Sequence, residues 1–201
     1  MKIGLIGLGT IGRAVARAVR DGRAGKAELA AVLVRDVSKV STAEAKELRC
    51  QVTADADEFF ASEMEVVIEA AGHSALRQYA ERTLRSGRDL LAVSVGALAD
   101  DELLASIKRA AEGSKRRLLI PSGALGALDA ISAGAVGALD EVTLIARKPP
   151  AAWKGTPAED VAARATDEPI CFYEGRAREA ARLFPQNINV VAALSLAGIG
   201  F

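Results

Sequence analysis

Three glycines near the start of the chain, Gly7, Gly9 and Gly12, are spaced G-x-G-x-x-G within KIGLIGLGTIGRAVARAVR. The short apolar run Ile3 to Ile6 precedes them and reads as a buried strand. A helical pattern follows, with Ile11, Ala14, Val15, Ala18 and Val19 on one predicted face. Between strand and helix each glycine has a chemical use. Gly7 makes the tight turn, Gly9 lets a pyrophosphate approach the backbone, and Gly12 lets the helix pack close to the strand. The first helical amides, at Thr10, Ile11 and Gly12, then face the phosphates, helped by the helix dipole. Spacing alone also fits an ordinary flexible turn; the strand before and the helix after favour a bound dinucleotide, NAD or NADP. No Gly-Lys-Ser/Thr follows the glycines, which excludes a P-loop.

Glu28 to Val34 reads as the second strand, giving the strand–helix–strand unit the length of a dinucleotide fold. An acidic residue at the end of this strand takes the adenosine ribose hydroxyls in such folds. Here the end reads Val34-Arg35-Asp36. Asp36 could bind the ribose, or it could cap a helix over Val37 to Leu48. Arg35 could meet a 2′-phosphate instead. NAD and NADP both stay open.

His73 is the only histidine. It follows Ala71-Gly72 after the apolar strand EVVIEA, and reads either as an acid/base group beside a nicotinamide or as the cap of the helix beginning there. Ser122-Gly123-Ala124 offers backbone groups near a nicotinamide amide, or is a plain strand-to-helix turn. A substrate with carboxylates needs cations, and Arg147, Lys148, Lys154 and Arg176 are available, each also readable as a solvated surface charge. There is no Ser-His-Asp set and no HExxH, and one histidine with two distant cysteines, Cys50 and Cys171, gives no basis for a histidine- or cysteine-rich metal site.

The elements that must position these residues alternate. Cys50 to Val52, Glu65 to Ala70, Asp89 to Val95 and Arg116 to Ile120 read as further strands. Helices are predicted over His73 to Ser86, closed by Gly87, and over Ala99 to Glu112, stopped by Gly113. This alternation predicts an α/β fold with a doubly wound parallel (Rossmann) sheet over 1–124. In such sheets ligands sit beyond the carboxyl ends of the strands, so Gly7 to Gly12, Gly72-His73, Ser94 to Ala97 and Ser122 to Ala124 are expected to converge on one crevice. After Ala124 the rhythm changes. Residues 125–201 read as a partial second domain of α+β type. Its predicted elements are a helix over Leu125 to Gly137, strands over Val142 to Arg147 and Pro169 to Tyr173, a loop over Lys148 to Thr156, a helix over Arg176 to Leu183, and a helical pattern from Asn187 onward. The chain closes inside the apolar run VVAALSLAGIGF, which needs neighbours to bury it. A further C-terminal part is therefore expected.

Bulk properties narrow the class. Lysine plus arginine and aspartate plus glutamate number 26 each, so nothing argues for nucleic acid or an anionic membrane. Aromatic residues make up 4% of the chain, too few for base-stacking modules. The final apolar run is shorter than the ~20 residues of a spanning helix. The expectation is a soluble cytoplasmic protein whose two cysteines are reduced core or half-buried thiols.

Longer motifs then accumulate: GLIGLGTIG, EAAGH, VSVGAL, PSGALGALDAISA, ARKPPAAWKGTP and EGRAREAARLFPQNINVVAALSLAGIG. Together they resemble the L-aspartate dehydrogenase family across essentially the whole chain. The resemblance implies a two-domain homodimer that uses NAD or NADP to oxidise L-aspartate to iminosuccinate. That product can feed nicotinamide-nucleotide synthesis or hydrolyse to oxaloacetate and ammonia. It also implies that Ala124, in SGALGALD, and Asn189, in NIN, contact the cofactor. Arg35 stands where the family often has an acid. Family members continue past a stretch like LSLAGIGF, and the resemblance places the catalytic histidine in that continuation, not at His73. Two alternatives accompany this reading: another dehydrogenase of a related carboxylate on the same scaffold, and a shortened dinucleotide-binding protein without turnover.

Overall fold

Apolar strands that alternate with amphipathic helices bury both faces of a sheet only when helices cover each side. The computed structural model, which describes residues 1–185 and 189–201, follows that logic. The chain divides into two compact units, Met1–Pro121 and Ser122–Phe201.

The first unit runs β1 (Lys2–Ile6), α1 (Thr10–Arg20), β2 (Glu28–Leu33), α2 (Thr42–Leu48), β3 (Gln51–Thr53), α3 (Ala56–Ala61), β4 (Val66–Glu69), α4 (His73–Arg85), β5 (Asp89–Ala92), α5 (Asp101–Ser114) and β6 (Leu118–Leu119). The strands form one sheet in the order β3-β2-β1-β4-β5-β6, and every neighbouring pair is parallel. This is the expected doubly wound arrangement. The order reverses between β1 and β4, which makes the carboxyl ends of those two strands the walls of the ligand crevice.

The pleat sends alternate residues to opposite faces. Ile6, Ala31, Leu33 and Val67 pack with Phe59 and Phe60 of α3 and with Met64. Leu5, Val32 and Val34 pack on the other side with Leu8 of the following turn and with Ala16 of α1. Burying a side chain such as Leu5 or Val67, each 0% exposed, stabilises the sheet by about 1.5–3 kcal/mol.

Several predicted boundaries move for local reasons. The buried face of α1 is Gly12, Ala16 and Val19, while Ile11 is 51% exposed. The helix turns its glycine toward the sheet, and that rotates Ile11 and Ala14 outward. The single helix expected over Val37 to Leu48 splits in two. Asp36 caps a short 3-10 turn, Val37–Lys39, and the Ser41 hydroxyl then caps α2 by accepting from the Glu44 amide at 3.1 Å. Asp100 caps α5 by accepting from the amides of Glu102 and Leu103, so this helix starts later than predicted. It also runs through Gly113 and ends at Lys115, whose φ of 55° is left-handed. Helix α3 was not predicted; Asp55 caps it by accepting from the amides of Asp57 and Glu58. Gly87, with φ 81°, follows the last turn of α4 as expected.

The second unit contains α6 (Leu128–Gly134), a 3-10 turn over Pro150–Trp153, α7 (Glu159–Ala162), α8 (Ala177–Leu183) and α9 (Asn189–Ala197). Its regular elements are all helical among the described residues. The strands predicted over Val142 to Arg147 and Pro169 to Tyr173 do not form: neither segment finds a strand to pair with among the described residues, and a lone extended segment leaves its backbone unpaired. Trp153, 6% exposed, anchors this unit instead. Its ring meets Phe172 edge-on at 4.6 Å and Phe184 at 5.7 Å. The closing apolar run finds neighbours within the unit: α9 packs on α6 and α8, burying Ala192, Ala193, Leu194 and Ser195. Asn187, read as a helix start, lies outside the described residues.

The cysteines differ from each other. Cys50 is half-buried, and burial pushes its thiol up to about 11. Cys171 is exposed, against expectation, because the segment predicted as a strand is an irregular stretch.

Candidate functional site

The turn after β1 is built by close backbone contact. Gly7 has φ +95°, a conformation that side chains rarely adopt, and its amide donates to the Leu33 carbonyl at 2.8 Å. A β-carbon on Gly7 would lie 2.7 Å from the Ala71 β-carbon and 2.8 Å from the Ala70 carbonyl oxygen. A β-carbon on Gly12 would run into the Gly7 carbonyl oxygen itself. A β-carbon on Gly9 would meet nothing within 4 Å. Gly7 and Gly12 are therefore imposed by the protein's own packing; Gly9 faces open space.

Gly9 is the N-cap of α1 and no side chain caps it. The Gly9 carbonyl receives the Arg13 amide at 2.9 Å, but the amides of Gly9, Thr10, Ile11 and Gly12 have no hydrogen-bond partner among the described residues. The first turn carries no carboxylate that would repel an anion. Exposed amides, the positive end of an eleven-residue helix and an open approach at Gly9 fit a dinucleotide diphosphate.

At the end of β2, Asp36 serves as a cap. Its Oδ1 accepts from the Ser38 hydroxyl at 2.6 Å and the Ser38 amide at 3.0 Å. The Ser38 hydroxyl and amide hold this carboxyl below the usual carboxylate range. Arg35 is exposed and makes no ion pair among the described residues.

At the end of β4 the loop Ala70-Ala71-Gly72 leads into α4. Gly72, with φ +111°, is the N-cap, and its carbonyl receives the amides of Ala75 and Leu76. His73 is thus the first helical residue and does not cap the helix, contrary to that expectation; it is half-buried, and its side chain makes no hydrogen bond among the described residues. A residue overlooked in the sequence stands just before. Glu69 is 1% exposed, and its carboxylate accepts from the amides of Ala71, Gly72 and Ser94 and from the Ser94 hydroxyl. Ser94 begins the buried turn Val95–Ala99 after β5. The ends of β1, β4 and β5 therefore lie along one edge of the sheet. Ser122 to Ala124, expected at the same edge, belongs to the second unit.

Within the second unit, Ala124, Asn189, Arg147 and Lys148 line one cavity of about 450 Å³, together with Leu125 and Val190. Arg147 and Lys148 also line a neighbouring cavity of about 250 Å³ that contains Trp153 and Phe172. The Lys148 ammonium lies 5.4 Å from the centre of the Trp153 ring, and burial holds its pKa below the usual lysine value. Lys154 and Arg176 are exposed and line neither cavity. Among the described residues no group of histidine, cysteine and carboxylate side chains could hold a metal ion, and no helix is long and apolar enough to cross a membrane.

Comparison with known proteins agrees with this division. Residues 7–121 match the homoserine dehydrogenase NAD-binding domain family, and residues 129–201 match the aspartate dehydrogenase C-terminal domain family. The L-aspartate dehydrogenase of Methanocella arvoryzae is 38% identical over 203 residues, spanning 100% of this chain and 74% of that protein. That of Ralstonia pickettii is 46% identical over 137 residues, 68% of this chain and 51% of that protein. The crystal structure of aspartate dehydrogenase from Thermotoga maritima shares the fold, with a TM-score of 0.69 at 20% identity over 98% of this chain and 73% of that one.

Proposed function

Since this chain belongs to the L-aspartate dehydrogenase family and carries an NAD(P)-binding domain, we propose that it oxidises L-aspartate to iminosuccinate, with residues 1–124 holding the dinucleotide and 125–201 holding substrate and a second copy of the chain. The observation that carries the cofactor side is the row of unpartnered amides from Gly9 to Gly12 at the start of α1. They seat the diphosphate, while Gly7 and Gly12 keep strand and helix close enough to aim those amides. Arg35 favours NADP through a 2′-phosphate, since the neighbouring Asp36 carboxylate is engaged with Ser38.

The substrate side rests on Arg147 and Lys148, which share a cavity with Ala124 and Asn189. Two cations match the two carboxylates of aspartate. Asn189 and the backbone at Ala124 orient the nicotinamide amide. When bound, that ring supplies the hydride acceptor, and the protein's part is to hold the aspartate Cα in line with it. Exposed Val136 and Ile145, 89% and 78% accessible, support burial against a second copy. The product iminosuccinate places the enzyme before a condensation toward the nicotinamide ring, or before hydrolysis to oxaloacetate and ammonia.

The test is reduction of NAD and NADP, side by side, with L-aspartate, alanine, glutamate and homoserine. Aspartate-selective reduction is the expected result. Equal rates with alanine or glutamate overturn the substrate assignment, homoserine oxidation transfers it to the family matched by residues 7–121, and NADH binding without turnover leaves a binding protein.

A further inference from the structure

Glu69 is the last residue of β4 and is 1% exposed. Its Oε1 accepts from the Ala71 amide at 2.7 Å, the Gly72 amide at 2.9 Å and the Ser94 hydroxyl at 2.9 Å. Its Oε2 accepts from the Ser94 amide at 3.1 Å. No cation pairs with it among the described residues. Burying a carboxylate is costly unless hydrogen bonds replace its water. An apolar side chain would complete this strand position more cheaply, as Val67 does two residues earlier. The carboxylate is therefore explained by what its donors belong to. All four come from the two loops that leave β4 and β5 on the crevice side of the sheet.

Direct packing leads from there to the phosphate turn. The Ala71 amide is fixed by Glu69, and Ala70 and Ala71 press on Gly7, whose missing β-carbon would stand 2.7 Å from that of Ala71. The Gly7 carbonyl in turn abuts Gly12, the end of the unpartnered amide row. A shift of the Ala70–Gly72 loop therefore displaces Gly7, and a shift of Gly7 re-aims the start of α1.

We propose that Glu69, with Ser94, is a positioning residue for the dinucleotide: its carboxylate clamps the β4 and β5 loops so that Ala70 and Ala71 hold the glycine turn in its phosphate-accepting shape. This rests on the cofactor reading above. Glu69 never touches the cofactor; it acts through Ala71 and Gly7.

NADH fluorescence titration of the whole chain tests it, read beside the melting temperature. Glu69→Gln keeps size and shape but turns an NH₂ toward the Ser94 amide. Its NADH Kd is expected to rise about tenfold, equal to about 1.4 kcal/mol. Val67→Ala, in the same strand, is the control: it lowers the melting temperature but leaves the NADH Kd within about twofold. Should Glu69→Gln fail to fold, Ser94→Ala carries the test, because it removes the hydroxyl donor alone and is expected to weaken NADH binding while the protein stays folded. An unchanged NADH Kd in a folded Glu69→Gln or, in its place, Ser94→Ala protein overturns the proposal, as does an equal rise in Val67→Ala. Failure of the unaltered protein to bind either NADH or NADPH overturns the cofactor reading, and the proposal with it; where only NADPH binds, the same Kd comparisons are read with NADPH.

Discussion

Gly12 lies so close to the carbonyl oxygen of Gly7 that no β-carbon fits between them. Five residues apart in the chain, the two glycines are the hinge at which β1 becomes α1. Gly9, between them, touches nothing with its absent side chain. Protein packing therefore demands two of the three glycines and leaves the third, Gly9, for the proposed approach of the diphosphate.

The two kinds of glycine separate by mutation. Gly12→Ala forces α1 away from β1 and is expected to cost about 1–3 kcal/mol of stability, the usual size of an overpacking strain, and to abolish measurable NADH binding. Gly9→Ala is expected to leave the melting temperature within about 2 °C, as for a surface change, yet to weaken NADH binding. A Gly9→Ala protein with unaltered NADH affinity would remove the diphosphate from this turn.

The proposed role of Arg35 in choosing between the two cofactors is open to test. It is exposed and forms no ion pair among the described residues, so its removal costs the fold little. Arg35→Ser is expected to lower kcat/KM with NADP about tenfold relative to NAD, the value of one charge-assisted hydrogen bond. A ratio of NAD to NADP efficiency that does not move would place the 2′-position elsewhere.

Lys148 lines the cavity shared by Ala124 and Asn189, and burial lowers its pKa. Its positive charge is therefore lost at a lower pH than that of an ordinary lysine. KM for L-aspartate is expected to rise on the alkaline side, before the usual lysine range near 10.4 is reached. Lys148→Met should raise KM at neutral pH, flatten that alkaline rise, and leave the NADH Kd unchanged. A pH profile identical in the variant would assign the alkaline limb to another group.

Asp89 ties the edge strand β6 to β5. Its Oδ1 accepts from the Arg117 amide at 2.9 Å, and its Oδ2 accepts from the Arg117 guanidinium at 3.0 and 2.6 Å. Burial pushes the Asp89 carboxyl upward, but the hydrogen bonds and charge of Arg117 outweigh it and hold the group below the usual range. A depressed folded-state pKa means stability that is complete above the unfolded value, about 3.9, and is lost as pH falls through the folded value. The Arg117 side chain is 72% accessible, so water screens the pair, and Asp89→Asn is expected to cost only about 1 kcal/mol near neutrality. Melting curves should show that gap largest above about pH 5 and shrinking below about pH 3. A constant gap across that range would mean that the charge contributes nothing.

Much of the fold is legible one window at a time. The apolar run Ile3 to Ile6, the glycine spacing and the amphipathic stretches that follow each strand lead to a parallel α/β sheet, because period and turn chemistry act over a few neighbouring residues. The same local signals fail where a choice depends on a partner. Ile11 and Gly12 compete for the sheet side of α1, and the contact with Gly7 settles it in favour of Gly12. Val142 to Arg147 has the residues of a strand but no strand beside it among the described residues.

By itself, the sequence determined that a dinucleotide turn opens this chain and that strands and helices alternate after it, since backbone geometry and side-chain periodicity are properties of adjacent residues. Only the tertiary structure decided that Glu69 reaches Ser94, 25 positions further on, or that Ala124, Arg147, Lys148 and Asn189 share one cavity. Those pairings exist because the sheet order sets β5 beside β4 and because α9 folds back on α6; a hydrogen bond between distant residues acquires meaning only when the chain between them has been folded away.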